Sequence, residues 1–209
     1  MTKVAVFGAG GLGTALARRL APLGHKIVFT FGRDEAALAA KANSFGVKSV
    51  APREASAWAD VIAITTPWGV AEAAISAAGA IDGKTVWDCT NPMKPDYSGL
   101  QVGLTSSAAE RLQAAAANAT VIKGIPPFAE LLHSDEPTLN GQPAGCFVCG
   151  PDGPHKKAVI ALLEDLPASP VDAGPLENAR YIEPAAFLLV RIAYGMEVGP
   201  RIGLRFLRG

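Results

Sequence analysis

Between residues 4 and 33 the chain passes from an apolar segment, Val4-Ala5-Val6-Phe7, through Gly8, Gly10 and Gly13 into an amphipathic stretch, then a second apolar segment and Arg33. Leu12, Leu16 and Leu20 repeat at helical spacing with Ala17 beside them, while Arg18 and Arg19 fall off that stripe. Pro22 and Gly24 end the helix before Lys26-Ile27-Val28-Phe29-Thr30 resumes as strand. This order meets the demands of a dinucleotide-binding β-α-β unit. The first glycine permits a tight turn, the second lets backbone approach a pyrophosphate, and the third lets the helix sit close to the strand. The unpaired N–H groups and the dipole of the helix N-terminus then favour phosphate. Gly-x-Gly-x-x-Gly alone also describes a plain tight loop; the flanking strands and helix argue for the nucleotide.

The end of the second strand discriminates between dinucleotides. An NAD site places an acid there, roughly 20 residues past the glycines, to bind the ribose 2′-hydroxyl. This chain has Thr30-Phe31-Gly32-Arg33-Asp34. Arg33 offers a permanently charged planar fork to a 2′-phosphate, and Gly32 leaves room for the phosphate beside the backbone. NADP(H) is the expected cofactor. The alternative sets Asp34 on the ribose, but Asp34 followed by Glu35 and an alanine run reads more economically as a helix N-cap with an acidic first turn.

The 209 residues suit one α/β domain or one with a small appendage, and 19 basic against 19 acidic residues give no net charge. Neither nucleic acid nor a membrane surface is the expected partner. Strand one begins at once, so no signal peptide is expected, and the most apolar stretch, residues 61–81, is broken by Pro67, Gly69 and Glu72. A cytoplasmic location follows as the expectation. Cys146 and Cys149 share the CxxC spacing, yet positions i and i+3 of a strand face opposite sides, so these read as core residues rather than a metal or disulfide pair.

Apolar runs alternate with alanine-rich helical stretches, which predicts a Rossmann-type, doubly wound parallel sheet of α/β class. Expected strands cover 47–50, 60–65, 85–89, 120–125 and 145–149; expected helices cover 35–43, 70–78, 108–117 and 154–166. Residues 91–107 read as a long loop or lid. Pro126-Pro127 marks a change of texture, so 1–125 is expected to form the NADP-binding domain and 126–209 a small C-terminal helical subdomain for substrate and dimerisation. Val171-Asp172 is a short extended piece. Residues 176–194 read as the longest helix, apolar nearly all round and kinked or restarted at Pro184. A helix buried on several sides implies a homodimer through it.

Ligands of open α/β sheets gather beyond the carboxyl ends of the strands. There the sequence places Thr65-Thr66-Pro67-Trp68, then Asp88-Cys89-Thr90-Asn91-Pro92-Met93, then Gly124-Ile125-Pro126-Pro127. Thr66 and Asn91 offer polar groups to ribose or carboxamide, and Trp68 offers an aromatic wall, although the prolines also serve simply to stop strands. No residue is assigned as catalytic and none as a metal ligand. His133 and Tyr194 are the candidates if a proton donor is required. Chemistry carried by the cofactors, with protein holding two rings face to face, is the economical reading.

With these residues assembled, the chain resembles the coenzyme F-420 (deazaflavin)-dependent NADP oxidoreductase family over nearly its whole length. The likeness rests on Gly8-Ala9-Gly10-Gly11-Leu12-Gly13, Leu23-Gly24-His25, Gly32-Arg33, Thr66-Pro67-Trp68, Thr90-Asn91-Pro92, and Val171-Asp172-Ala173-Gly174-Pro175-Leu176-Glu177-Asn178-Ala179-Arg180. The resemblance implies a dimer and hydride exchange between NADPH and a deazaflavin. On that basis Ala9 to Leu12 hold pyrophosphate, Gly32 and Arg33 the 2′-phosphate, Trp68 the cofactor wall and Pro127 the nicotinamide end. Lys123-Gly124-Ile125-Pro126-Pro127 is shorter than the family's pattern there, so a flavin or another planar acceptor stays open. A non-catalytic NADPH sensor and a reductase of small imines or carbonyls are the alternatives.

Overall fold

The computed structural model describes residues 1–207. Its sheet is built from β1 (Lys3–Phe7), β2 (Lys26–Thr30), β3 (Lys48–Ser49), β4 (Val61–Ile64), β5 (Thr85–Asp88), β6 (Thr120–Gly124), β7 (Ala144–Cys149) and β8 (Ala168–Asp172). The helices are α1 (Gly11–Leu20), α2 (Glu35–Ser44), α3 (Pro52–Trp58), α4 (Ala71–Ala78), α5 (Ala108–Ala115), α6 (Ala129–His133), α7 (Pro154–Asp165) and α8 (Ala179–Val190). Spatial order is β3-β2-β1-β4-β5-β6-β7-β8, the doubly wound order extended by two strands. The expected fold class is borne out.

Side chains of β1 alternate between the two faces, as a two-residue period requires. Ala5 and Phe7 join Ile62, Ile64 and Val86 beneath α3, α4 and α5. Val4 and Val6 join Phe29, Trp87 and Ile122 beneath α1 and α7. Cys149 falls in the first layer and Cys146 in the second, on opposite faces. Both thiols are free.

Three details differ from the sequence reading. α3 and α6 are too short for a periodicity to show; α3 starts on Pro52, which fits a first turn where its missing N–H is not needed. β7 runs antiparallel to β6, because the proline turn after Gly124 and the five-residue α6 never carry the chain back across the sheet. β7 and β8 thus continue the nucleotide-side sheet. The expected long helix is broken into a 3₁₀ turn at Leu176–Asn178, α8 with Pro184 inside it, and a π turn at Arg191–Gly195. The pair β6–β7 is short, joining only at Lys123–Cys149 and Gly124–Val148, and beyond it Leu204 of the C-terminal segment bridges Gly145. A crevice opens where the two strands part.

Under that crevice lies a fully buried ion cluster. Lys123 Nζ is 2.9 Å from Asp88 Oδ2 and 3.0 Å from Glu183 Oε1, and it donates to the Thr90 carbonyl at 2.6 Å. Glu183 also accepts from the N–H groups of Ala108 and Ala109, capping α5 from α8. Burial opposes the charge on Lys123, but the two carboxylates outweigh it and hold its pKa above the ordinary lysine value. Replacing Lys123 with Met leaves two buried acids without their cation. Urea unfolding should show Lys123→Met destabilised by about 3–5 kcal/mol, while Arg18→Ala, which breaks the exposed Arg18–Asp135 pair, should cost less than about 1 kcal/mol.

Candidate functional site

The turn from β1 into α1 is shaped by two glycines. Gly8 has φ +104°, and a Cβ there would stand 2.9 Å from Thr66 Cγ2; a Cβ on Gly13 would collide with the Gly8 carbonyl oxygen. These two serve packing, and neither lines the cleft. Gly10 and Gly11 are exposed, with nothing within 4 Å of a Cβ at Gly10, so open space lies over the start of α1. Gly10 caps α1 without a side chain, and no acid stands in the first turn. The first intrahelical bond runs from Thr14 N to Gly10 O, leaving preceding N–H groups for an anion.

Two neighbours brace this loop: Lys41, which escaped the sequence reading, and His133, which it named only as a candidate proton donor. Lys41 of α2 donates to the Ala9 carbonyl at 3.0 Å, setting a second cation beside the glycines. His133 Nε2 is 3.0 Å from the Gly11 carbonyl and 3.1 Å from Thr14 Oγ1. It is therefore tied to α1 rather than solvated in a loop. At the end of β2, Gly32 and Arg33 are exposed, and Asp34 Oδ1 accepts from Ala37 N at 3.0 Å as the N-cap of α2. That bond settles Asp34 in the capping role.

From the start of α1 a cleft of about 1110 Å³ runs past the ends of β4, β5 and β6 to α8. Gly10, Gly11, Leu12, Thr66, Pro67, Trp68, Asn91 and Pro127 line it. Gly8, Ala9, Gly13, Gly32, Arg33 and Pro92 do not; Pro92 is buried behind it, its carbonyl accepting from Gln101 N at 2.6 Å. Thr66 Oγ1 and Asn91 Oδ1 are buried and find no hydrogen-bond partner among the described residues. Buried polar atoms are normally paired, so two orphans in one cleft fit a ligand that supplies partners. Asp88 explains the shape of this loop: its Oδ1 accepts from both Thr90 N (2.8 Å) and Thr90 Oγ1 (2.7 Å).

The far end is apolar and aromatic. Trp68, Tyr97, Phe128 and Tyr194 line it with Ile182 and Leu189, and Lys94, Glu130 and Arg191 are the charged lining groups. Cys89 and Cys146 also reach it, but burial raises both thiols, Cys146 to about 12, so neither is a thiolate at neutral pH. Among the described residues no group of three His, Cys, Asp or Glu is placed to hold a metal, and no helix is long and apolar enough to cross a membrane.

The segment 171–180 docks the C-terminal helix on this frame. Asp172 pairs with Lys156 at 3.0 Å and accepts from Gly174 N at 2.8 Å; Arg180 grips Glu110 of α5 with two bonds, at 2.9 and 2.6 Å. That grip holds the Glu110 carboxyl below its ordinary pKa.

Residues 3–92 match the family described as NADP oxidoreductase, coenzyme F420-dependent. The resemblance drawn from the sequence therefore holds over these residues. A provisionally assigned F420-dependent NADP reductase from Arthrobacter sp. FB24 is similar over 100% of both chains, at 26% identity and a TM-score of 0.88. A hypothetical protein from Sinorhizobium meliloti is 24% identical over 100% of this chain and 97% of its own, with a TM-score of 0.76. An imine reductase from Aspergillus terreus, solved with NADPH4 and dibenz[c,e]azepine, is 21% identical over 94% of this chain and 63% of its own, with a TM-score of 0.67. The last two are likenesses of fold.

Proposed function

We propose that the protein transfers a hydride between NADPH and a planar acceptor such as a deazaflavin or flavin. The observation that carries this reading is the continuity of the cleft, which joins the open start of α1 to an aromatic and aliphatic end lined by Trp68, Phe128 and Leu189. Its size is at the upper end for a single small-molecule site, so room for a second ring beside the nicotinamide is part of the proposal. A sensor without turnover has no need of that room.

In this reading the N–H groups at Gly10, Gly11, Leu12 and Gly13, with Ala9 beside them, hold the pyrophosphate. Gly32 and Arg33 take the 2′-phosphate, and Lys41 adds a second positive group one helix away. Thr66 and Asn91 satisfy their orphaned oxygens on the ribose and carboxamide; Pro67, Trp68 and Pro127 form the walls of the nicotinamide end, and Pro92 backs the Asn91 turn from behind. Bound NADPH supplies the hydride, and the protein orients the rings and keeps water from between them. Residues 1–125 act as the nucleotide unit, and 126–209, as far as described, as the acceptor and contact unit. The substrate is a small molecule, with no nucleic-acid or membrane partner, in the cytoplasm.

The outer face of α8 supports a homodimer. Tyr181 and Leu188 are 66% and 59% exposed on this chain, a large apolar display for a helix that also lines the cleft. A second copy with the same helix is the occupant we assign to it.

Arg33→Ala should weaken NADPH by about 1–3 kcal/mol, the scale of a lost charge-assisted contact, and leave NADH nearly unchanged in fluorescence titration. Equal losses for both nucleotides would remove Arg33 from the 2′-phosphate. Sedimentation at micromolar concentration should give twice the chain mass of 21.5 kDa; Leu188→Asp should shift it to the monomer.

A further inference from the structure

Tyr194 sits in the π turn that follows α8 and lines the cleft at its open side, 51% exposed. Its hydroxyl donates to Glu130 Oε1 at 2.8 Å, and its ring meets Phe128 edge-on at 5.9 Å. Glu130 also lines the cleft and is exposed, so solvent reaches the pair from the α6 side. Of the other protic groups lining the cleft, the thiols of Cys89 and Cys146 are buried, and Lys94 and Tyr97 stand exposed on the 91–107 loop. Outside the lining, the ammonium of Lys123 is sealed below with its carboxylates and His133 is engaged with α1.

We propose that Tyr194, oriented by Glu130, delivers the proton that accompanies hydride transfer, which makes the natural acceptor one that gains a hydride at one atom of a π system and a proton at a nitrogen or oxygen of the same system. This rests on the hydride-transfer reading and deepens it. The balance is one hydride and one proton. As the hydride forms its new bond, to carbon in a deazaflavin or imine and to N5 in a flavin, the π electrons of the acceptor move to its protonatable nitrogen or oxygen; the phenolic O–H of Tyr194 turns from Glu130 to that atom, the O–H bond breaks and the new heteroatom–H bond forms. The phenolate left behind recovers its proton from water at the open side beside Glu130.

Burial, then the hydrogen bond to Glu130, pushes the Tyr194 pKa up to about 12, with Glu130 and Tyr97 the charged and titratable groups acting on it. The donor therefore stays loaded at neutral pH. Glu130 is a positioning residue: its carboxylate fixes the rotor of the hydroxyl until an acceptor competes for it.

The test uses the full chain with three probe acceptors: coenzyme F420, riboflavin and 2-methyl-1-pyrroline. Single-turnover NADPH oxidation is followed in light and heavy water for wild type, Tyr194→Phe and Glu130→Ala. Riboflavin affinity without nucleotide is measured by fluorescence. Tyr194→Phe keeps the ring contact with Phe128. It should slow the oxidation step about 10²–10⁴-fold, the usual worth of a general acid, and abolish the solvent isotope effect. It should also weaken riboflavin about 3- to 10-fold, as for one lost neutral hydrogen bond. Glu130→Ala should slow the step less and retain the isotope effect. A Tyr194→Phe rate and isotope effect equal to wild type would overturn the proposal while leaving hydride transfer intact. No NADPH oxidation by wild type with any probe would overturn the hydride-transfer reading and this inference with it.

Discussion

Lys123 holds its ammonium where no solvent reaches, between Asp88, Glu183 and the Thr90 carbonyl, and through those contacts it joins β5, β6, α5 and α8 at one point. Taking three charges out of water costs several kcal/mol per ion, and the return is repaid only when every remaining donor and acceptor is met. Here they are: Asp88 also receives two bonds from Thr90, and Glu183 receives two N–H groups of α5. The cluster fixes the Thr90–Asn91 loop on one side of the cleft and the start of the cleft-lining part of α8 on the other. The distance between the two walls therefore depends on it.

Above this anchor the cleft is divided by chemistry. At the α1 end the backbone offers N–H groups with Arg33 and Lys41 nearby, an arrangement suited to phosphates. At the α8 end aromatic and aliphatic groups prevail, which suits a planar ring held by area rather than by many polar contacts. The bridge between Leu204 and Gly145 lays the C-terminal segment beside β7, so residues 202–204 form part of the cleft wall.

Most of the sheet was legible because β1, β2 and β4 carry short, β-branched apolar runs followed by glycine or proline, a length and setting that favour a strand buried on both faces over a helix. The direction of β7 was not legible, since a strand's own residues do not record which way its neighbour runs. Candidate phosphate-end residues could be proposed because glycines and an arginine at fixed offsets carry a mechanism. Lys123 and Glu183, 60 residues apart, could not: a lysine in a strand and a glutamate in a helix look like surface residues until the fold buries them together. Within the 171–180 segment Arg180 locks α8 onto α5, while Asp172 pairs with Lys156 of α7 and accepts from Gly174 N in the turn between. Lys41 was hidden on a helix of little amphipathic character, with only Ala42 buried.

In the proposed function one cleft takes NADPH along the strand ends and leaves a ring-sized space against α8. A crystal structure of the protein with bound NADP⁺ should show pyrophosphate at the N-terminus of α1, the 2′-phosphate at Arg33, and the nicotinamide between Trp68 and Pro127 with one face open toward Tyr194. A nicotinamide whose two faces are both covered by this chain's own side chains, or a nucleotide lying elsewhere on the surface, would contradict it.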